Sequence, residues 1–242
     1  MLRNKKPRIG LTGHFDQVSN KYCVDQKYVE AVQDAGGIPI ILPIYANASR
    51  FIASIDGLLV TGGGSNALTE KQKKSKTLPT LEEQNSKRYH FERYMIIASR
   101  KAKLPILGIC RGHQMISEVF GGTVGKDNLD FAGTGVAHKQ KKEDEVPTHR
   151  IHLMKDSKLS LVLKRKDTSV NSLHRQSVTS LPKGFRMSAV ADDGVIEGME
   201  SEDCNIICVQ FHPEMLMKKD LAFKRIFSCF VDDCRQKHGW LS

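Results

Sequence analysis

The chain has 242 residues, of which 40% are hydrophobic and 26% charged, with a formal net charge of +10. That length and composition suit one large α/β domain spanning residues 1–242 and exclude a disordered or fibrous chain. The excess charge raises nucleic acid as a partner, but Lys and Arg fall in scattered clusters ("RNKKPR", "KQKKSK", "KQKK", "KRK") without interleaved aromatics, so a solvated basic surface and no specific nucleic-acid binding are expected.

The N-terminus lacks the apolar stretch of a signal peptide, and no run approaches the length of a membrane span, so a cytoplasmic protein with no membrane partner is expected. Six cysteines are sparse for this length and unlike a disulfide framework. The pairs Cys204/Cys208 and Cys229/Cys234 lack C-x2-C spacing, so free thiols and no metal are expected.

Taken along the chain, "RIGLT" at 8–12 reads as a strand, and "VDQKYVEAVQDAGG" places Val24, Tyr28, Val29 and Val32 at helical spacing before a glycine stop. "IPIILP" is a strand buried on both faces, and "SIDGLLVTGGG" a strand running into a glycine loop. The lysine-rich stretch 65–82 has no apolar period and reads as a mobile surface loop. A helix over 83–102, with Tyr94, Ile97 and Ala98 inward, leads to the buried strand "LPILGIC". Strands alternating with helices predict a mostly parallel central sheet with helices on both faces. Beyond residue 145, "HRIHLM", "TSVNSLH", "FRMSAVADDGVIEGMES" and "NIICVQFH" are strand-like, with "DDG" as a turn, which adds a smaller antiparallel portion. A helix over 218–237 closes the chain.

Within "GICRGHQ", Cys110 falls where a strand gives way to a helix. A helix N-terminus favours the thiolate form of a thiol, which is the nucleophile. Gly108 and Gly112 give G-x-C-x-G, the pattern of a crowded strand-to-helix turn that a buried packing cysteine does not need. "VQFHPE" supplies a base in His212 and a carboxylate in Glu214 to fix its tautomer. Backbone N–H groups of "TGGGS" and of Arg111 are the candidate oxyanion donors. His113 reads as a helix-side residue, His149 and His152 do not form a metal pair, and neither a P-loop nor a dinucleotide fingerprint is present.

The segments "DGLLVTGGG", "PILGICRGHQMISEVFGGTV", "VNSLHRQSV", "DDGVIEGME" and "VQFHPE", in this order, resemble the class I glutamine amidotransferase-like superfamily and, within it, the γ-glutamyl hydrolase branch that includes γ-glutamyl-γ-aminobutyrate hydrolases. The resemblance implies a flavodoxin-like fold, a catalytic triad of Cys110, His212 and Glu214, and an oxyanion and substrate site at Gly63, Gly64, Arg111 and Gln114. Ser172 and His174 match a segment that lines the substrate pocket in that branch. The sequence departs from the branch at Ser65, where an aspartate is common, at Arg175, where a second histidine is common, and in the lysine-rich stretch.

The expected activity is cysteine-dependent hydrolysis of a small-molecule γ-glutamyl amide through a glutamyl thioester, without metal or organic cofactor. Two alternatives stand beside it. One is a glutaminase subunit that passes ammonia to a synthase partner; the other is a catalytically silent binding protein on the same fold. A homodimer is the default expectation for the oligomeric state.

Overall fold

A computed structural model describes residues 5–16, 19–45, 48–63, 70–127, 129, 133, 135–141, 143–237 and 239. Strand β1 (Arg8–Thr12) is followed by a short hairpin, β2 (His14–Asp16) and β3 (Lys21–Cys23), and by helix α1 (Gln26–Asp34). The Asp25 side chain accepts the Lys27 N–H at 2.8 Å and opens α1. The chain leaves the helix through Gly36 at φ 82°, a left-handed conformation that glycine takes without strain. Tyr28, Ala31 and Val32 form the buried face, and β4 (Ile38–Leu42) returns parallel to β1.

After α2 (Ser49–Ile52) and β5 (Gly57–Val60) come α3 (Glu70–Lys73), α4 (Leu81–Gln84) and α5 (Ser86–Lys101). Residues 65–69 lie outside the described residues, but 70–82 is not the featureless surface loop that its lysines suggest. Leu78 and Leu81 are buried, and Thr80 and Glu83 form a reciprocal capping box at the start of α4. The long helix also differs from expectation. It begins at Ser86, capped by Asn85, and Tyr94 and Ile97 are exposed. The inward face instead carries Arg88, Tyr89, Phe91, Glu92, Met95, Ile96 and Ser99. A buried Arg88–Glu92 ion pair at i, i+4 occupies that face, so apolar periodicity alone selects the wrong one.

Strand β6 (Ile106–Ile109) runs into α6 (Arg111–Val119), followed by β7 (Thr123–Val124). The remainder comprises β8 (His149–Leu153), α7 (Lys158–Leu163), β9 (Asp167–Val170), β10 (Val178–Ser180), β11 (Phe185–Ala191), β12 (Ile196–Ser201), β13 (Ile206–Val209), α8 (Pro213–Leu216) and α9 (Leu221–Lys237). Gly194 at φ 86° makes the expected turn between β11 and β12. The short helix α7 was not expected from the sequence; Ser157 caps it, and it packs on α9.

Nine strands form one mixed sheet in the order β4-β1-β5-β6-β13-β12-β11-β8-β9. The five strands from β4 to β13 are parallel and, counted along the chain, follow the flavodoxin-like order 2-1-3-4-5. The strands from β12 to β9 are antiparallel and continue the same sheet; the short turns that join β11 to β12 and β12 to β13 cannot supply the crossover that a parallel pair needs. The antiparallel part is thus nearly as large as the parallel one. One face is covered by α1, α7 and α9, with Phe223, Phe227 and Phe230 at its core; α5 and α6 cover the other, with Met95, Ile96, Met115 and Ile116. Among the described residues no helix is long and apolar enough to cross a membrane.

Candidate active site

The chain leaves the parallel strands at one edge of the sheet: Thr61–Gly63 follows β5, Cys110 follows β6, and Gln210–His212 follows β13. The strand order reverses between β1 and β5 close by, the place where open α/β sheets present a crevice. A cavity of about 430 Å³ opens there, lined by Tyr28, Gly62, Gly63, Cys110, Gln114 and His212 among others.

Cys110 sits at φ 53° and ψ −105°, a backbone conformation that is costly for a residue with a side chain. Its surroundings hold it there. The Cys110 N–H donates to Val209 O at 2.8 Å, and its carbonyl accepts the Gln114 N–H at 3.2 Å. A Cβ at Gly112 would overlap the Val60 carbonyl, and one at Gly108 would press on the Gly112 backbone. The two glycines therefore let α6 start directly against β5 and β6. That start aims the helix's unpaired first N–H groups at the cavity end of the strands.

His212 follows β13 and precedes Pro213, the first residue of α8. Its Nδ1 lies 2.6 Å from Glu214 Oε1, and both side chains are buried. Nε2 is thereby left free of Glu214, and Cys110 lies near enough to act on the imidazole. Burial opposes the charged imidazole, but Glu214 and Cys110 outweigh that cost and hold its pKa well above the usual histidine range. Asn171 fixes the backbone of His212, accepting its N–H at 2.9 Å and donating from Nδ2 to its carbonyl at 3.2 Å.

The glycine loop is supported from two sides. Tyr28 Oη accepts the Gly62 N–H at 2.9 Å and lies 3.4 Å from His212 Nδ1. Burial, with Glu214 and Cys110 near by, pushes the phenol's pKa well above its ordinary value, so Tyr28 stays neutral. Beneath the loop the fully buried Arg88 donates to the carbonyls of Thr61, Gly62 and Gly63 at 2.9, 3.1 and 3.0 Å, and its Nε to Glu92 Oε1 at 2.7 Å. Gly63 takes φ 77°.

The remaining expected residues fall as follows. Gly64 lies outside the described residues. Arg111 starts α6, and its guanidinium is buried 3.5 Å from Glu92 Oε2, with its pKa pushed down to about 10 chiefly by burial. Gln114 lines the cavity and donates from Nε2 to Gln176 O at 2.7 Å and Gln210 Oε1 at 3.1 Å. His174 lines the cavity as well. Ser172 does not: it is fully buried, and its hydroxyl donates to His138 O at 2.8 Å, bracing the segment behind the wall. His113, on α6 as expected, is fully buried, facing Gln210 Oε1 at 3.3 Å, and burial first of all lowers its pKa to about 4. It is neutral at pH 7 and remote from the role of a second base.

Sequence reasoning missed Tyr28, Arg88 and Asn171. Tyr28 carries only the signal of a core position on α1, and Arg88 that of a surface helix residue. Asn171 opens the "NSLHRQ" segment, where an asparagine signals no more than a strand end.

Residues 7–214 match the profile of the Peptidase C26 family. The chain is 33% identical over 212 residues to a Schizosaccharomyces pombe protein provisionally named a glutamine amidotransferase, covering 86% of this chain and 81% of that one. It is 26% identical over 246 residues to the gamma-glutamyl-gamma-aminobutyrate hydrolase of Escherichia coli O157:H7, covering 97% of this chain and 91% of that protein. The fold is similar to a crystal structure from Thermoplasma acidophilum, described provisionally as one chain of a GMP synthase, with a TM-score of 0.68, 20% identity and 97% of both chains covered.

Proposed function

Because the chain belongs to the Peptidase C26 family of class I glutamine amidotransferase-like proteins, we propose that it is a hydrolase that uses Cys110, His212 and Glu214 to cleave the amide bond of a γ-glutamyl amine, such as γ-glutamyl-γ-aminobutyrate. The observation that carries this reading is the His212 Nδ1–Glu214 Oε1 contact of 2.6 Å, which leaves Nε2 for a thiol held on a strained turn at a helix N-terminus.

In this reading the Cys110 Sγ attacks the γ-carbonyl carbon while His212 Nε2 takes the thiol proton. The negative charge that develops on the carbonyl oxygen is met by the N–H groups of Gly63 and Arg111, since the Gly62 N–H is already engaged by Tyr28. Collapse of the tetrahedral intermediate breaks the C–N bond, and His212 gives its proton to the departing amine. A glutamyl thioester remains on Cys110. Water, deprotonated by the same imidazole, releases glutamate and restores the thiol. No step calls on a metal or organic cofactor.

The cavity lining supports a zwitterionic head. Asp25 and Asp144 provide negative charge and Lys139 and Arg175 positive charge, which suits the ammonium and carboxylate of a γ-glutamyl group. All six cysteines are free, which suits a reducing compartment such as the cytoplasm.

Glutamate release from a panel of γ-glutamyl amides and from free glutamine, with Cys110→Ala in parallel, tests the proposal. Release from one or more γ-glutamyl amines that disappears in the variant is the expected result. Turnover of glutamine alone, or only after a synthase partner is supplied, would assign the chain to the glutaminase class instead.

A further inference from the structure

Behind the cavity wall formed by residues 173–176 lies a second group of polar side chains that takes no part in this chemistry. It joins His138, in the segment that bridges to Leu173 through Lys139, His149 at the start of β8, His174, and Glu197 in β12. Their side chains are at most 5% exposed. His138 Nδ1, His149 Nε2 and His174 Nε2 lie 3.5, 3.3 and 3.4 Å from the same atom, Glu197 Oε1. None of these four atoms has a hydrogen-bond partner.

The far nitrogens explain why that convergence is unusual. His138 Nε2 is 2.8 Å from Asp193 Oδ2, and His174 Nδ1 is 3.0 Å from the Gln176 carbonyl. The Gln176 carbonyl can only accept, so His174 Nδ1 carries the proton there and the inward Nε2 of a singly protonated His174 ring presents a lone pair to the carboxylate. Lone pair facing anion is repulsive unless a cation stands between them. The separations from Glu197 Oε1 agree. Ligand atoms bonded at about 2.0–2.1 Å to a tetrahedral ion sit about 3.4 Å apart, whereas a hydrogen bond from an imidazolium to a carboxylate spans about 2.7–2.9 Å.

The geometry points to a structural site for a divalent cation of the zinc class, bound by His138, His174 and Glu197, with His149 Nε2 packed 3.3 Å from the same carboxylate oxygen. One ligand atom from each of these three residues lies within 4.8 Å of the other two. Imidazole with one carboxylate selects zinc-like ions over magnesium or calcium, and Asp193 behind His138 is the outer carboxylate that commonly orients a ligating histidine. His152 is not part of it; that residue is half-exposed and pairs with Asp192 on the other face of β8. The ion would fasten the segment carrying Lys139, the wall carrying His174 and strand β12 to one another, and buried ligands imply that it is loaded as the chain folds. The site is independent of the reaction assigned to Cys110.

The test uses the full chain, free of any histidine tag, produced in zinc-supplemented medium. Elemental analysis after dialysis should find about one zinc per chain. Protein unfolded in chelator and refolded without metal should melt at a lower temperature, and zinc or cobalt(II) present during refolding should restore the midpoint. The cobalt form should show the visible bands of a tetrahedral ion without the charge-transfer band of a thiolate ligand. His138→Gln with His174→Gln should abolish retention; if that variant does not fold, the cobalt spectrum of the wild type decides. Protein without stoichiometric metal that is unaffected by zinc during refolding would overturn the proposal, as would metal retained by the double variant or a thiolate band.

Discussion

Tyr28 Oη stands 3.4 Å from His212 Nδ1 while accepting the Gly62 N–H at 2.9 Å, so one phenol ties the histidine of the candidate triad to the loop proposed to hold the oxyanion. Tyr28→Phe removes both contacts without changing the ring's packing in α1. Losing one such hydrogen bond lowers kcat on the order of tenfold. Steady-state kinetics should show the loss in kcat with KM little changed, and circular dichroism should show the fold retained.

Gly62 has no room for a side chain. A Cβ there would lie 2.7 Å from Tyr28 Oη, 2.9 Å from His212 Cε1 and 3.2 Å from Cys110 Cβ. Gly62→Ala should therefore push apart the groups proposed to meet in the reaction and abolish turnover. Because the crowding falls on side chains at a cavity, thermal denaturation should show a loss of no more than about 1–3 kcal/mol.

Arg88 is completely buried and meets Glu92 as well as three loop carbonyls. Arg88→Met leaves the Glu92 carboxylate with the Thr12 hydroxyl at 2.9 Å and Arg111 at 3.5 Å as its remaining partners, and chemical denaturation should register a loss of about 3 kcal/mol. Arg88→Met with Glu92→Leu should recover part of the stability. Activity should not return with it, since the carbonyls of Thr61, Gly62 and Gly63 still lack their donor.

The raised pKa of His212 makes stability depend on pH in a definite direction. A folded imidazole with elevated pKa binds its proton more tightly than the unfolded one. Its stabilising contribution is complete below about pH 6.5, the unfolded value, and is lost as pH rises through the folded pKa. The thermal midpoint should fall on the alkaline side of neutrality. Glu214→Gln removes one of the charges that raise the pKa and should flatten that slope while lowering kcat at least about 100-fold.

The cluster of Cys110, His212 and Glu214, proposed here as nucleophile, base and carboxylate, was legible in the sequence because each member lies in a short contiguous pattern whose geometry is local: glycines flanking Cys110, and His212 two residues from Glu214. The parallel half of the sheet was legible for the same reason, as each strand is a short apolar run closed by a turn. Tyr28 and Arg88 were not, because what they do depends on residues 34 and 25 or more positions away. Arg88 also shows how a paired charge hides from hydrophobic periodicity. With its ion pair inside, α5 presents Tyr94 and Ile97 to solvent, the reverse of what an apolar stripe predicts. Ser172 was misplaced by proximity: its neighbours from Leu173 to Gln176 line the cavity, but its own side chain turns back to His138.

The strands that end at the site, β5, β6 and β13, are all interior to a nine-stranded sheet, each bonded to a neighbour on both sides. Interior strands are the last parts of a protein to exchange their amide hydrogens, because they open only when the whole molecule does. The thiol, the glycine loop and the imidazole are thus anchored in the slowest-exchanging part of the chain. The opposite rim is hung differently. Gln140 and Thr148 donate their N–H groups to Ser172 and Val170, and His138 accepts that of His174, so the rim rests on residues at and just beyond β9, the last strand of the sheet. Cys110, Gly62 and His212 should therefore keep their spacing through any local opening at that edge and separate only when the sheet as a whole unfolds.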